Sequence, residues 1–492
     1  MVAFADNTSG RRRSMWHAVP DAETPASYYA DEHVQARLRE YCGGTHDRPP
    51  TAVHVATLDT DGQPCPTWER PWRVPGPQLP ELLATGRDLA RSLWDTDALL
   101  LFIDLDYQNS DLHGEPFVHP AEVFVKLEPT YLALRHVMAR FALQPFVVMT
   151  GRGYHFMGRV SLGAPTIDAL AALVPTTPGW HPDVARRHDS PHAPMLTARH
   201  ARAAAGLGLL EEFLSHLVLR RASRTSLLPV VMNGTSVGYG GAAYAGAGRE
   251  CVSIDISHRG DPLDVRYARI VFGTYQWHRV RPDIFGEASA VPPFVALPRR
   301  EQTLQDLLWT RAQLRQARRV AADGNSAYIP DVAAAVGRLL NAYRCSRLAA
   351  FHRDYLAWTM RRPMKPPADP VDLPPCQRIC LEHPNDLLLK PERLQLLTRG
   401  LLARGWHPAA IAARVAQAYE TDHDWGDRWD RLHPRTRAEF DVRIFAGLVH
   451  TGVDQLVDFN CVSTQEKDLC PGLGCTHDLR LDRARLLKRE PA

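Results

Sequence analysis

Residues 98–105 read ALLLFIDL, an apolar run of strand length that is unbroken until Asp104 near its end, with Asp106 two residues further on. A run without polar alternation belongs to a strand covered on both faces, so the chain must build a sheet with layers packed on either side. Residues i and i+2 of a strand project from one face, roughly 6.6 Å apart along the chain, so Asp104 and Asp106 converge. Two carboxylates at the end of a buried strand are costly unless positive charge meets them. Divalent cations are the usual answer, and two ions roughly 3.5–4 Å apart are the standard clamp for phosphoryl or nucleotidyl transfer.

The rest of the chain supplies layers for such a sheet. At 492 residues it exceeds one ordinary core, and two or three domains are expected. Residues 1–26 are polar and Arg-rich and are expected to be flexible. Periodicity predicts a helix over 31–41, a strand over 51–58, a helix over 81–94 and the central strand over 98–105. Strands at 121–125, 145–149, after Gly153, at 251–256 and at 268–272 alternate with helices at 130–141 and 201–219. Residues 234–248 are rich in Gly and Ala and predict a loop. This mixture predicts an α+β catalytic core over 27–298. A helical connector over 299–362 follows, whose Arg311, Arg315, Arg318 and Arg319 read as a solvated face. Six prolines between 363 and 375 predict a linker. Helices over 391–404, 408–419 and 435–450 make the region 376–482 mostly α-helical.

A formal net charge of +3 excludes a protein carried by bulk positive charge, but not a local basic groove. Fifty-three arginines against five lysines read as coding bias rather than a phosphate-binding signature. No apolar run approaches the roughly 18–20 residues of a membrane span, and the first residues lack a secretory pattern, so a cytoplasmic location without membrane partners is expected. Nine cysteines, five of them in the last quarter, suit a metal site there better than a disulfide framework.

Two more elements carry chemistry. The turn TGRGYHF, Thr150 to Phe156, follows the apolar run PFVVM. Glycines around Arg152 let backbone amides and a guanidinium approach an anion, with His155 on the next strand; a plain hairpin with a satisfied histidine accounts for the same residues. The strand CVSIDIS carries Asp255, and Arg269, His278 and Arg279 follow it as candidate phosphate contacts.

In this order and spacing, Asp104 and Asp106, Thr150 to His155, and Asp255 resemble the catalytic core of the archaeo-eukaryotic primase superfamily, over roughly residues 27–282. The resemblance implies an RRM-like catalytic module beside a small N-terminal αβ unit. It implies template-dependent nucleotidyl transfer on single-stranded DNA from nucleoside triphosphates, with a replicative helicase as a further partner. Asp104, Asp106 and Asp255 would hold two Mg²⁺ or Mn²⁺ ions. Thr150, Arg152, Gly153, His155, Arg269, His278 and Arg279 would bind the incoming nucleotide. The chain departs from the family after the third acid: Phe272-Gly273 stands where a Phe-Ser pair is usual, and either Tyr275 or His278 fills the family's histidine position. Many relatives carry a zinc knuckle before the third acid. Here no cysteine lies between Cys65 and Cys251, and His181, His188, His192 and His200 read as a solvated loop rather than a zinc site.

In the last quarter, Cys461, Cys470 and Cys475 are separated by eight and four residues, and a Pro-Pro-Cys sequence places Cys376 far upstream. Thiolates gathered from distant positions suit an iron–sulfur cluster. The pattern is similar to the C-terminal domain of the large primase subunit, which implies Cys376, Cys461, Cys470 and Cys475 as [4Fe-4S] ligands, with Cys380 as an alternative to Cys376. It also implies template and primer contacts at Lys390, Arg393 and Arg399; ordinary charges on an exposed helix face are the other reading. The expectation is therefore a single-chain primase-polymerase. A non-catalytic protein that binds single-stranded or junction DNA is the alternative, and a nuclease or other nucleotidyltransferase with the same two-metal chemistry is a more distant one.

Overall fold

The computed structural model describes residues 23–56, 72–74, 76–181, 197–234, 249–263, 265–361, 372–384, 390–421, 432–472 and 474–488. Its class is mixed α+β. The apolar run becomes β4 (Ala98–Asn109). With β5 (Phe146–Met149), β6 (Gly153–Ser161), β7 (Val230–Met232), β8 (Glu250–Asp255) and β10 (Leu297–Pro298) it forms a six-stranded sheet of order β10-β5-β6-β4-β8-β7. Every pairing is antiparallel except β7 with β8. A second sheet, β2-β1-β3-β9, joins Trp72–Val74, Ala52–Ala56, Leu89–Asp95 and Tyr267–Arg269.

Two long helices cover the sheet, α1 (Pro120–Ala139) and α2 (Ala198–Ala222), packing on each other and on β4. Phe124 and Tyr131 of α1 meet the ring of Tyr154 on β6, at 5.4 and 4.7 Å between centroids. Alternation along β6 then turns His155 to the opposite face. The ladder between β4 and β8 ends at the pair Asp104–Asp255, and side chains finish the edge beyond it. Glu211 of α2 accepts the Phe102 N–H at 2.8 Å, and Arg259 donates to the Leu100 carbonyl at 2.6 Å. Backbone groups of a buried strand must be paired, and this acid and arginine do the pairing.

Three segments differ from the sequence expectation. Residues 81–94 are a helix only to Ala84; Gly86 turns the chain at φ +70° and Leu89–Asp95 is strand β3, buried on both faces. Without alternation, its leucines mimic helical spacing. Residues 121–125 are helix, because α1 starts with Pro120 in its first turn and runs through Pro129 into the predicted helix. Of residues 268–272 only part is strand, and that part belongs to the second sheet. The predicted loop at 234–248 lies almost wholly outside the described residues, as do most of the Pro-rich stretch and residues 1–22. Thr24 already caps a helix over Pro25–Tyr29.

The residues expected to form a connector pack on the sheet: Asp331 bridges Arg159 of β6, and Val332 fills the space above Gly158. Beyond them lie α3 (Pro375–Glu382), α4 (Pro391–Ala403), α5 (Pro408–Thr421) and α6 (Pro434–His450). The α6 helix rests on the turn Ser257–Gly260 that follows Asp255, with Phe440 so close to Gly260 that a Cβ there would lie 2.8 Å from its ring. Arg437 of α6 grips Asp261 with two bonds of 2.9 and 3.0 Å. One hydrophobic cluster runs without interruption from Tyr28 to Leu486. Among the described residues no helix is long and apolar enough to cross a membrane.

Candidate active site and cysteine cluster

Asp104 stands in register with His155 on one neighbouring strand and with Asp255 on the other. Directly paired residues share a face, so His155, Asp104 and Asp255 form a row across β6, β4 and β8, with Asp106 one step along. His155 Nε2 lies 3.5 Å from Asp104 Oδ1. Arg152 Nε donates to Asp106 Oδ2 at 2.7 Å, and the Arg152 side chain is half exposed while that of Asp106 is buried. Burial, with the neighbouring charges of Asp104 and Asp255, pushes the Asp106 carboxyl up to about 7 against the opposing pull of Arg152 and His155. Asp255 Oδ1 accepts the Ser257 N–H at 2.7 Å. Phe102 wedges its ring between His155 and His258, edge-on to both at 5.0 and 5.1 Å.

This donor set fits a divalent cation. Asp104, Asp106 and Asp255 lie on one face, and among the described residues Asp104 Oδ1 is buried without a hydrogen bond, with His155 Nε2 3.5 Å away. An acceptor left so inside a protein is costly, and a cation relieves it.

The turn after β5 closes through Thr150 N–H to the Gly153 carbonyl at 2.8 Å. Gly153 has a steric reason to be glycine: a Cβ would lie 1.8 Å from the Leu105 carbonyl oxygen. Gly151 is hemmed by Tyr275, Phe117 and Phe294, each within 3.2 Å of an added Cβ. Tyr275 thus lies against the turn, within electrostatic reach of Arg152 and Asp106, and its hydroxyl is pushed up by burial. Arg269 stacks on the Tyr275 ring at 4.5 Å and is tethered to Asp88 at 3.4 Å.

His278 stacks on Tyr275 at 5.8 Å without reaching the acids. It is buried in an aromatic pile with Phe117 at 4.8 Å and Phe294 at 5.6 Å, and its Nε2 pairs with the Val291 carbonyl at 2.9 Å. Burial pulls its imidazole down to about 4. Between the two candidates for the histidine position, Tyr275 faces the acids and His278 does not. Arg279 is exposed on a short helix, Trp277–Val280.

The sequence reading missed three residues here. Asp88 accepts the Gln276 N–H at 2.8 Å and so shapes the segment that presents Tyr275. His258, three residues past Asp255, is buried against Glu211. Arg311, expected on a solvated face, is buried instead and donates to the Thr150 carbonyl at 2.6 Å. The signal for Arg311 was present: it closes a helix, Leu304–Arg311, whose Leu307 and Leu308 are core residues.

In the C-terminal region Cys376 opens α3 and is buried. Its thiol is pushed up to about 12, first by burial and then by the neighbouring Cys380, Cys470, Cys475 and Cys461. The chain curls to bring these cysteines back, with positive φ at Asp468, Gly472 and Gly474. Cys461 Sγ accepts the Leu479 N–H at 3.5 Å. Cys380 faces differently: its thiol, raised by burial to about 11, is held back by Arg393. Four sulfurs from distant positions, one of them already taking an amide hydrogen bond, are a donor set suited to iron.

Of the three expected template contacts, Lys390 is exposed and Arg393 donates to the Asp468 carbonyl at 3.1 Å. Arg399 points inward and is buried, gripping Asp454 at 2.8 and 2.9 Å and Asp458 at 3.1 Å. Its guanidinium is committed to building the domain. His188, His192 and Cys65 lie outside the described residues.

A scan against protein-family models, a search of curated proteins and a search of solved structures each return no match.

Proposed function

We propose that this chain is a primase-polymerase: a template-dependent nucleotidyltransferase that builds primers on single-stranded DNA, with an RRM-like catalytic module of the archaeo-eukaryotic primase type and a C-terminal iron–sulfur domain. The observation that carries the reading is the row His155–Asp104–Asp255 across three adjacent strands, with Asp106 and Arg152 beside it.

In this reading Asp104, Asp106 and Asp255 hold Mg²⁺ or Mn²⁺. Bound there, the ions lower the pKa of the attacking hydroxyl and neutralise charge on the α-phosphate. The chain's own residues do the rest. Arg152 is the movable partner, half exposed and tied to Asp106 by a single strong bond, and is free to exchange that carboxylate for nucleotide phosphate. His155 is fixed by Phe102 and Asp104 at the rim of the same face. Tyr275, backed by Phe294 at 4.9 Å and capped by Arg269, offers a wall beside the turn for the nucleotide to pack on. Cys376, Cys461, Cys470 and Cys475 hold the cluster, and exposed Lys390 is the remaining contact for template or primer phosphate.

The test is incorporation of labelled nucleoside triphosphates on unprimed and primed single-stranded DNA of defined sequence, with Mg²⁺ or Mn²⁺. Products whose composition follows the template support the reading. Binding to the DNA without any incorporation, under all metal and nucleotide combinations, replaces it with the DNA-binding alternative.

A further inference from the structure

A turn that receives an anion has to keep its carbonyl oxygens away from it. All four carbonyls of the 150–153 turn already accept hydrogen bonds: that of Gly153 from the Thr150 N–H, that of Arg152 from the Tyr107 N–H at 2.9 Å, and those of Thr150 and Gly151 from Arg311, at 2.6 and 3.3 Å. Two of the four therefore depend on one side chain. It comes from a helix some 160 positions further along the chain, beyond the expected end of the catalytic core at 298.

Arg311 itself is held unusually. It is buried, its guanidinium lies over the rings of Phe294 at 4.4 Å and Phe124 at 5.0 Å, and among the described residues no carboxylate lies within ion-pair distance. Burial pulls its pKa down to about 10. Burying a cation without a counter-ion is unfavourable, and an apolar side chain of similar volume would pack there at lower cost. What the guanidinium supplies that an apolar group does not is a two-pronged donor for adjacent carbonyls and a fixed positive charge beneath the turn.

We propose that Arg311 is the positioning residue of the nucleotide-phosphate site: it turns the Thr150 and Gly151 carbonyls inward, so that the opposite side of the turn, with Arg152, meets the phosphates. This rests on the nucleotide-binding reading of the turn. It also makes the helices after residue 299 part of the active site.

Arg311→Met and Arg311→Lys, in the full chain, test it. Three readouts are compared with wild type: affinity for a fluorescent nucleoside triphosphate with Mg²⁺, the separate KM and kcat of incorporation, and amide hydrogen exchange of residues 150–153. The expected result for Arg311→Met is a KM at least tenfold higher with kcat changed less than threefold, and faster exchange confined to the turn. Lysine, which reaches one carbonyl and not two, recovers part of the KM loss. If the methionine variant does not fold, Arg311→Lys carries the same readouts. An active wild type whose variants keep KM and exchange unchanged overturns the proposal alone. A folded wild type that binds no nucleotide overturns the nucleotide-site reading and the proposal with it.

Discussion

Asp104 and Asp255 face each other as the last pair of the β4–β8 ladder, and beyond them the edge of β4 is finished by the side chains of Glu211 and Arg259. Like charges directly opposed on one face destabilise a sheet, so this pair is held against the interest of the fold. Asp104→Asn and Asp255→Asn are therefore expected to keep or raise the melting temperature while lowering metal-dependent incorporation by at least 10³-fold. Thermal denaturation and the incorporation assay, run on the same preparations, check both halves. Wild-type activity in either variant removes these acids from the site.

The cysteines give a prediction that separates two neighbours. Cys376 feels Cys380 first and then Cys470, Cys475 and Cys461, whereas Cys380 is turned to Arg393 and feels none of those last three. Anaerobically purified protein is expected to be brown, with about four irons per chain. Cys376→Ser is expected to lose the iron and the visible absorbance, and Cys380→Ser to keep them. Iron retained in the first and lost in the second reverses the ligand assignment. Stoichiometric zinc without iron replaces the cluster with a structural zinc site.

What could be read from the sequence followed from local pattern. Asp104 and Asp106 were legible because an apolar run fixes β4, and a strand's alternation fixes the face they share. Asp255 was placed beside them only by the family resemblance; its register against Asp104 was not legible, since strands some 150 residues apart are paired by the packing of the whole fold. The segment Leu89–Asp95 failed for a physical reason: buried on both faces, it carries no period of two. Arg311 and Arg399 failed for another, because arginines that serve carbonyls or carboxylates inside the fold look in sequence like arginines in water. The prolines over 363–375 predicted a boundary, yet the helices on either side share one core with the sheet.

That shared core has a polar clamp. Adjacent residues of α2 serve opposite directions: Glu211 holds the sheet edge, while Glu212 takes Arg443 of α6 at 3.1 Å and His352 at 3.1 Å. Burial works to raise the Glu212 carboxyl, and His352 and Arg443 overcome it, leaving it at about 2. Glu212→Gln keeps the shape and strands Arg443 without its counter-charge. A loss of about 3 kcal/mol is expected in chemical denaturation at pH 7. A carboxyl held below its unfolded value stabilises fully above about pH 4.5 and loses that contribution as pH falls toward 2, so the gap between wild type and variant should narrow over that window. A gap that is constant with pH assigns the loss to packing rather than to charge.

His278 gives a pH signature of the same sign in a higher window. Its imidazole titrates near 4 in the folded chain and near 6.5 when unfolded, so between these values the unfolded state binds the extra proton and stability falls as pH drops. The full effect is on the order of 3 kcal/mol by pH 4. His278→Phe keeps the stack with Phe117 and Phe294 but leaves the Val291 carbonyl without its donor, a cost of about 1 kcal/mol at neutral pH. The two stability curves are therefore expected to cross near about pH 5.5, with the variant the more stable on the acid side. His54 and His216, also buried and pulled down to about 4, act in the same window but cancel in the difference. Urea denaturation of both proteins from pH 4 to pH 8 measures it directly. Parallel curves would mean that His278 titrates normally, exposed to water and available to the nucleotide after all.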